Sequence, residues 1–194
     1  MIPRAVDEYY QFLGLYPTQP IEQKLGNPVH HVHLGQVPAA DMPVTFGLLL
    51  NLVSVAMTED KALLWRYLQR YAPQLSPQTH PALDRLLGYA VAYFRDFVAA
   101  SLVRRAPTGP EKEALRALDA RFAALPEGAD AEAIQYEVYE AGKAAGFDPL
   151  RDWFKVLYET LLGSSQGPRM GSFAALYGLA ETRQLIADAL AREA

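Results

Sequence analysis

Apolar side chains recur at helical spacing along most of this chain. Leu150, Trp153, Phe154, Leu157, Tyr158, Leu161 and Leu162 follow i, i+3, i+4, i+7, the pattern of a helix with one buried face. Leu83, Leu86, Leu87, Ala90, Val91, Phe94, Phe97 and Val98 make a second stripe of the same kind. The pattern predicts helices over residues 4–15, Val44–Met57, Glu59–Tyr71, Pro81–Leu102, Pro110–Leu125, Ala131–Ala145, Pro149–Leu162, Pro168–Tyr177 and Glu181–Arg192. No period-two alternation competes with it, so the expected fold class is all-α, a multi-helix bundle with short connections.

The region from Pro17 to Pro43 differs. It holds five prolines, two glycines and three of the four histidines, with no sustained apolar period, and reads as an extended N-terminal connector packed on the rest. Three stretches follow: 1–43, an N-terminal helix with its Pro-rich connector; 44–106, a first helical subdomain; and 107–194, a second. Local signals mark several ends. Thr108 followed by Glu111 has capping-box spacing. Asp148 before Pro149 reads as an N-cap with proline at the first helical position, and Gly146 suits a left-handed C-cap of the preceding helix.

Composition narrows the function. At 194 residues, with 51% hydrophobic and 21% charged, the chain should bury about 70% of its unfolded surface, enough for a substantial core. With no cysteine, disulfides, thiolate nucleophiles and zinc ribbons are excluded, and a reducing cytoplasm fits. No stretch has the roughly 18 apolar residues a membrane span needs, and MIPRAVDEYY suits neither a signal nor a transit peptide. A net charge of −4 argues against a surface that attracts nucleic acid everywhere, and leaves room for a local basic patch.

Candidate chemistry is sparse. His30, His31 and His33 cluster in VHHVHLG, and His-x-His on an extended segment would put two imidazoles on one side, but no further ligands stand at metal-site spacing. No metal site is expected, and a metal hydrolase is the least supported reading. His80, before Pro81, reads as a helix-start residue. Phosphate-loop and nucleophile-elbow motifs are absent from the sequence, and no catalytic residue is expected.

One segment stands out, Gly163 to Phe173 (GSSQGPRMGSF). Its glycines at 163, 167 and 171 allow close backbone approach. Pro168 can open a helix whose free N–H groups, with Arg169 at the same end, would attract a phosphate. Ser172, Phe173 and Tyr177 would add polar and stacking contacts to single-stranded bases. Arg104, Arg105, Arg151 and Lys155 could extend the patch. An equally weighted reading is a turn whose glycines permit tight helix packing.

Three strings go further. NPVHHVHLGQVPAADMPVTFGLLLNLVS (27–54), RYAPQLSPQTHPALDRLLGYAVAYFRDF (70–97) and WFKVLYETLLGSSQGPRMGSFAALYG (153–178) resemble, in order and spacing, the C-terminal part of class I lysyl-tRNA synthetase. The resemblance covers nearly the whole chain. It implies an α-helix cage that holds the anticodon stem-loop of tRNA(Lys), preceded by a stem-contact region at 1–43, with the nucleotide-binding catalytic domain missing. The family's lysyl-adenylate chemistry, with ATP and Mg, would belong to that missing part, so this chain alone should be inactive. His33-Leu34-Gly35-Gln36 imitates a class I signature only superficially. Of 18 basic residues 13 are arginine, whose planar fork suits phosphates and base edges. No DNA or membrane partner is implied, and the location implied is the cytoplasm. The alternative is a free-standing helical module that binds protein or RNA without synthetase activity.

Overall fold

The computed structural model describes residues 2–39 and 42–193. Among them the chain forms eleven α-helices and no strand: α1 (Ile2–Leu15), α2 (Ile21–Gly26), α3 (Pro28–Val32), α4 (Phe46–Ala56), α5 (Lys61–Tyr71), α6 (Pro81–Tyr93), α7 (Gly109–Ala124), α8 (Ala131–Ala144), α9 (Leu150–Leu157), α10 (Met170–Tyr177) and α11 (Leu179–Ala191). The fold class is all-α, as the periodicity requires.

Helix starts follow side-chain chemistry. Thr45 Oγ1 accepts the Leu48 N–H at 3.1 Å, and Asp60 Oδ1 accepts the Ala62 N–H at 2.8 Å. These caps start α4 and α5 two residues later than the apolar pattern predicts. At α7 the capping-box carboxylate is in place, Glu111 Oε2 accepting the Thr108 N–H at 2.7 Å. Gly146 takes the left-handed conformation, φ +77°, expected after α8. Asp148 does not cap α9: the helix starts at Leu150 with Pro149 as its flanking residue, one position beyond the expected register.

The connector is less extended than its prolines suggest. Residues 16–18 make a 3-10 turn, and α2 and α3 occupy much of the stretch before the backbone runs irregularly from Gln36 to Ala39. Asn27 explains α3. Its Oδ1 accepts the Val29 N–H at 3.1 Å and Pro28 sits at the first helical position, so two local signals override the missing apolar period. The His-x-His geometry of an extended strand is therefore not formed. Residues 40 and 41 of the expected connector lie outside the described residues.

Alpha-1 is anchored by its Asp7 carboxylate, which accepts the N–H groups of Phe46 at 2.5 Å and Gly47 at 3.1 Å. A carboxylate on one helix thus caps another and complements its positive end. From α4 onward a single buried cluster runs from Val44 to Ala189. Helix α10 packs on α4, α5, α8 and α11. Trp153 is fully buried and donates its indole N–H to the Val138 carbonyl at 2.9 Å. Gly142 makes that fit possible: a Cβ there would lie 2.4 Å from the indole ring.

Both long predicted helices continue past their α-helical parts through five-residue π-helical turns, Phe94–Val98 after α6 and Tyr158–Leu162 after α9. The second delivers the chain to Gly163. No helix is long and apolar enough to cross a membrane among the described residues.

Candidate nucleic-acid interface

The turn between α9 and α10 is built by its glycines. Gly163 adopts φ +72°, and a Cβ there would stand 2.9 Å from Leu102 and 3.2 Å from the Val103 carbonyl. Gly167 lies on the ring of Tyr158, where a Cβ would come within 2.5 Å. The Tyr158 hydroxyl donates to the Pro168 carbonyl at 3.0 Å. Gly171 brings α10 against α8: a Cβ would sit 2.1 Å from the Ala131 carbonyl, and its N–H donates to buried Gln135 Oε1 at 2.8 Å. Every glycine of the segment therefore serves close packing. One N–H of the first turn of α10 is already taken by Gln135, which leaves fewer donors for an anion than the sequence suggests.

The cations around the turn divide by burial. Arg105 is clamped, its guanidinium donating to Glu159 at 2.7 Å and to both oxygens of Glu111 at 2.7 and 2.9 Å. Those bonds raise the pKa of Arg105 and hold the Glu111 carboxyl below the usual range. Arg104 points inward and donates to the Ser54 carbonyl at 2.9 Å, while its buried Nε has no partner. Burial, then the nearby Arg192, lowers its pKa. Both arginines join the 102–106 segment to its neighbours, Arg104 from a buried position and Arg105 with 35% of its side chain exposed.

Arg169 faces outward. It makes a two-pronged pair with Glu132 of α8, 2.5 and 2.6 Å, with both side chains well exposed. The pairing raises the pKa of Arg169 and lowers that of Glu132. Arg151 is 87% exposed and 4.0 Å from Asp152; Lys155 is 60% exposed and 3.7 Å from Glu159. All three are well exposed: Arg151 and Lys155 make only long contacts to carboxylates, while Arg169 would have to exchange its two-pronged pair with exposed Glu132 for a phosphate.

The aromatic expectation needs correction. Phe173 is fully buried, stacked on Tyr177 with ring centres 5.5 Å apart, and half-buried Tyr177 stacks in turn on Tyr67 at 5.5 Å. These rings belong to the contact between α5 and α10, with no open face at Phe173 for a base. Ser172 is half-buried. Two exposed rings not singled out from the sequence stand on α8, Tyr136 at 61% and Tyr139 at 41%, and exposed Phe97 lines a pocket with Gly163, Ser164 and Gln166 of the turn. Tyr139 meets Phe154 edge-on at 5.3 Å, and Phe154 neighbours Tyr158 at 6.4 Å, so a strip of rings leads from α8 to the turn. A sequence signal existed: with Ile134, Val138 and Ala141 as the buried stripe of α8, positions 136 and 139 fall outside it.

The turn also borders a groove of about 700 Å³, lined by Gln166, Gly167 and Pro168 together with Arg4, Asp7 and Glu8 of α1 and the head of α4. Its charges are mixed, so it is a poorer phosphate site than the α8 face.

No three His, Asp or Glu side chains gather to hold a metal among the described residues. His30 and His33 are hydrogen-bonded to the hydroxyls of Tyr16 at 2.8 Å and Tyr9 at 2.9 Å, and His31 Nε2 to the Leu25 carbonyl at 2.8 Å.

The comparisons give this face its context. The chain is 51% identical over 193 residues, all of its length, to the lysine–tRNA ligase of Roseobacter denitrificans, of which it covers 36%. It is a relative of part of a lysine–tRNA ligase. Similar proteins include the lysine–tRNA ligases of Rickettsia bellii, 43% identical over 98% of this chain and 37% of theirs, and of Rickettsia felis, 41% identical over 96% and 36%. The chain thus spans little more than a third of the length of the curated relatives it matches. No family model matches it, and no solved structure does so significantly.

Proposed function

We propose that this chain is the anticodon-binding, C-terminal portion of a class I lysine–tRNA ligase, working in the cytoplasm, and that it contributes recognition of tRNA(Lys) to aminoacylation. The observation that carries the reading is the end-to-end match, at 51% identity, to 36% of a lysine–tRNA ligase. In this reading lysine activation belongs to the portion of the ligase that the chain does not match, where ATP and Mg would be used. The second helical subdomain, 107–194, supplies the RNA face, and the N-terminal stretch 1–43 lies toward the stem.

The face is the outer surface of α8 and α9 and the turn after them. Tyr136 and Tyr139 offer exposed rings on which unpaired bases stack, and Arg169, Arg151 and Lys155 offer charge to the loop phosphates. RNA loops are bound by this combination, because splayed bases present their faces while the backbone demands cations. The net charge of −4 restricts strong attraction to the places where cations are not consumed by buried carboxylates. Ser172 and Tyr177 stand behind the face as its support.

The test is filter binding of the tRNA(Lys) anticodon hairpin over a range of salt. Specific binding that weakens with salt and with Arg169→Ala, in a protein of unchanged circular dichroism, supports the reading. Equal affinity for an unrelated hairpin would defeat it.

A further inference from the structure

We infer that the aromatic groove between α1 and α6 is the seat of the remaining portion of a lysine–tRNA ligase. The groove, about 590 Å³, is lined by Ile2, Val6, Tyr9, Tyr10, Tyr89 and Tyr93 among others, with Phe46 in its floor. Its lips are exposed, Ile2 at 58% and Tyr89 at 65%, and Phe97, 66% exposed, extends it from Tyr93 at a ring separation of 5.0 Å. Single exposed apolar residues are ordinary; a continuous strip of tyrosine, phenylalanine and isoleucine is a contact surface.

Its chemistry selects a protein partner. Tyrosines have an apolar body and a wet end, and they concentrate at protein–protein contacts. No lysine, arginine or carboxylate is among its lining residues; Arg85 of α6 lies close enough to Tyr10 to act on it, but the groove itself offers ring and apolar contacts, not a cradle for a phosphate backbone. Both walls are fixed before any partner arrives. Asp7 ties α1 to the head of α4 through two backbone N–H groups, and Leu83, Leu86 and Leu87 bury the inner side of α6. A groove with rigid walls loses little entropy on being filled.

The relatives supply the occupant. Nearly two-thirds of each lies outside the match, and two parts of one ligase acting on one tRNA need a fixed separation, which a contact beyond the covalent link provides. This rests on the proposed role as part of a ligase. It does not depend on which residues touch the hairpin, because the groove and the α8 face share no residue.

The experiment is hydroxyl-radical footprinting of a chimera in which this chain replaces the matched 193 residues of the Roseobacter ligase. Tyr89 and Tyr93 should be labelled several-fold more slowly in the chimera than in the chain alone. Tyr89→Glu should restore labelling at Tyr93 and leave hairpin binding unchanged. If the chimera does not fold, the unmatched portion of the Roseobacter ligase is titrated onto this chain, and Tyr89→Glu should weaken that association by about thirtyfold or more, as for a central aromatic anchor. Equal labelling in chimera and isolated chain, or no association in trans, overturns the inference. So does protection that appears in the isolated chain as its concentration rises, which makes a second copy the occupant, or on adding tRNA, which makes it RNA. Loss of specific hairpin binding with the groove still protected would strike the recognition role and leave the docking site standing.

Discussion

Arg105 and Arg169 flank the same turn, and each is paired with glutamate, yet they belong to two different regions. On the inner side Arg105 is bonded to two carboxylates whose side chains are only 14% and 25% exposed, Glu111 and Glu159. It joins the start of α7 to the end of α9. On the outer side Arg169 shares one glutamate, and that Glu132 is 73% exposed. Water already solvates the outer pair, so exchanging Glu132 for a phosphate costs little; breaking the inner clamp takes the guanidinium away from two part-buried carboxylates, leaving Glu111 the Thr108 N–H and Glu159 the more distant Lys155. An ion pair around this turn therefore does not define a role until its burial is known. The rings follow the same division, with Phe173 and Trp153 inside and Tyr136 and Tyr139 outside.

The largest expected effect lies on the inner side. Trp153→Ala removes a fully buried ring and its hydrogen bond to Val138 and should cost about 3–5 kcal/mol, read from the urea midpoint; a loss under about 1 kcal/mol would mean that the inner region is not a packed frame. Next is Arg105→Ala, for which a loss of about 2 kcal/mol is expected, below the figure for a fully buried pair because the arginine is 35% exposed. Hairpin affinity of the folded fraction should be unchanged. Were affinity to fall and stability to hold, the two regions would have to exchange roles.

The outer side should respond in the opposite way. Tyr139→Ala, and more so the double change with Tyr136→Ala, should weaken hairpin binding by about 1–3 kcal/mol per stacked base with a melting temperature close to that of the parent. Arg169→Ala should reduce the slope of log affinity against log salt by somewhat less than one unit, as loss of one phosphate contact to a single strand does. Glu132→Gln sharpens the point, since it frees Arg169 and should tighten binding. Unaltered affinity in both variants would show that this pair plays no part in RNA binding.

The smallest effect is that of acid. Arg105 depresses the Glu111 pKa in the folded state, so the clamp contributes its full stability above the unfolded carboxylate value, about 4.3, and loses it as pH falls through the lower folded value. Urea midpoints measured across that interval should decline more steeply in the parent than in Arg105→Ala. Parallel curves would contradict the clamp.

The sequence disclosed most of the frame because helices announce themselves by period. The stripes of α6 and α9 and the glycine after α8 are local features, and local features survive into the fold. Where something other than the apolar stripe decides, the structure departs from the pattern: a short-range cap, a one-residue shift at a proline, or a tertiary neighbour. Asn27 nucleates a helix in a stretch whose prolines argue against one, and Asp148 loses the cap position to Pro149 by one residue. Phe173 reads like a stacking ring next to Arg169, but its position on α10 turns it into the contact with α5. The glycines of the turn were ambiguous for the same reason: close backbone approach to a ligand and to another helix make the same demand, and only the Ala131 carbonyl beside Gly171 shows which neighbour is there. Tyr136 and Tyr139 fall on the polar face of α8 by the same periodicity that marks its buried stripe.

The most direct test places 4-thiouridine at the unpaired positions of the tRNA(Lys) anticodon hairpin, irradiates its complex with this chain, and maps the cross-linked peptides. Cross-links on the α8 segment that carries Tyr136 and Tyr139, and on the peptide that contains Arg169, are the predicted result. Cross-links confined to α1–α3 or to the groove beside α6 would contradict the account.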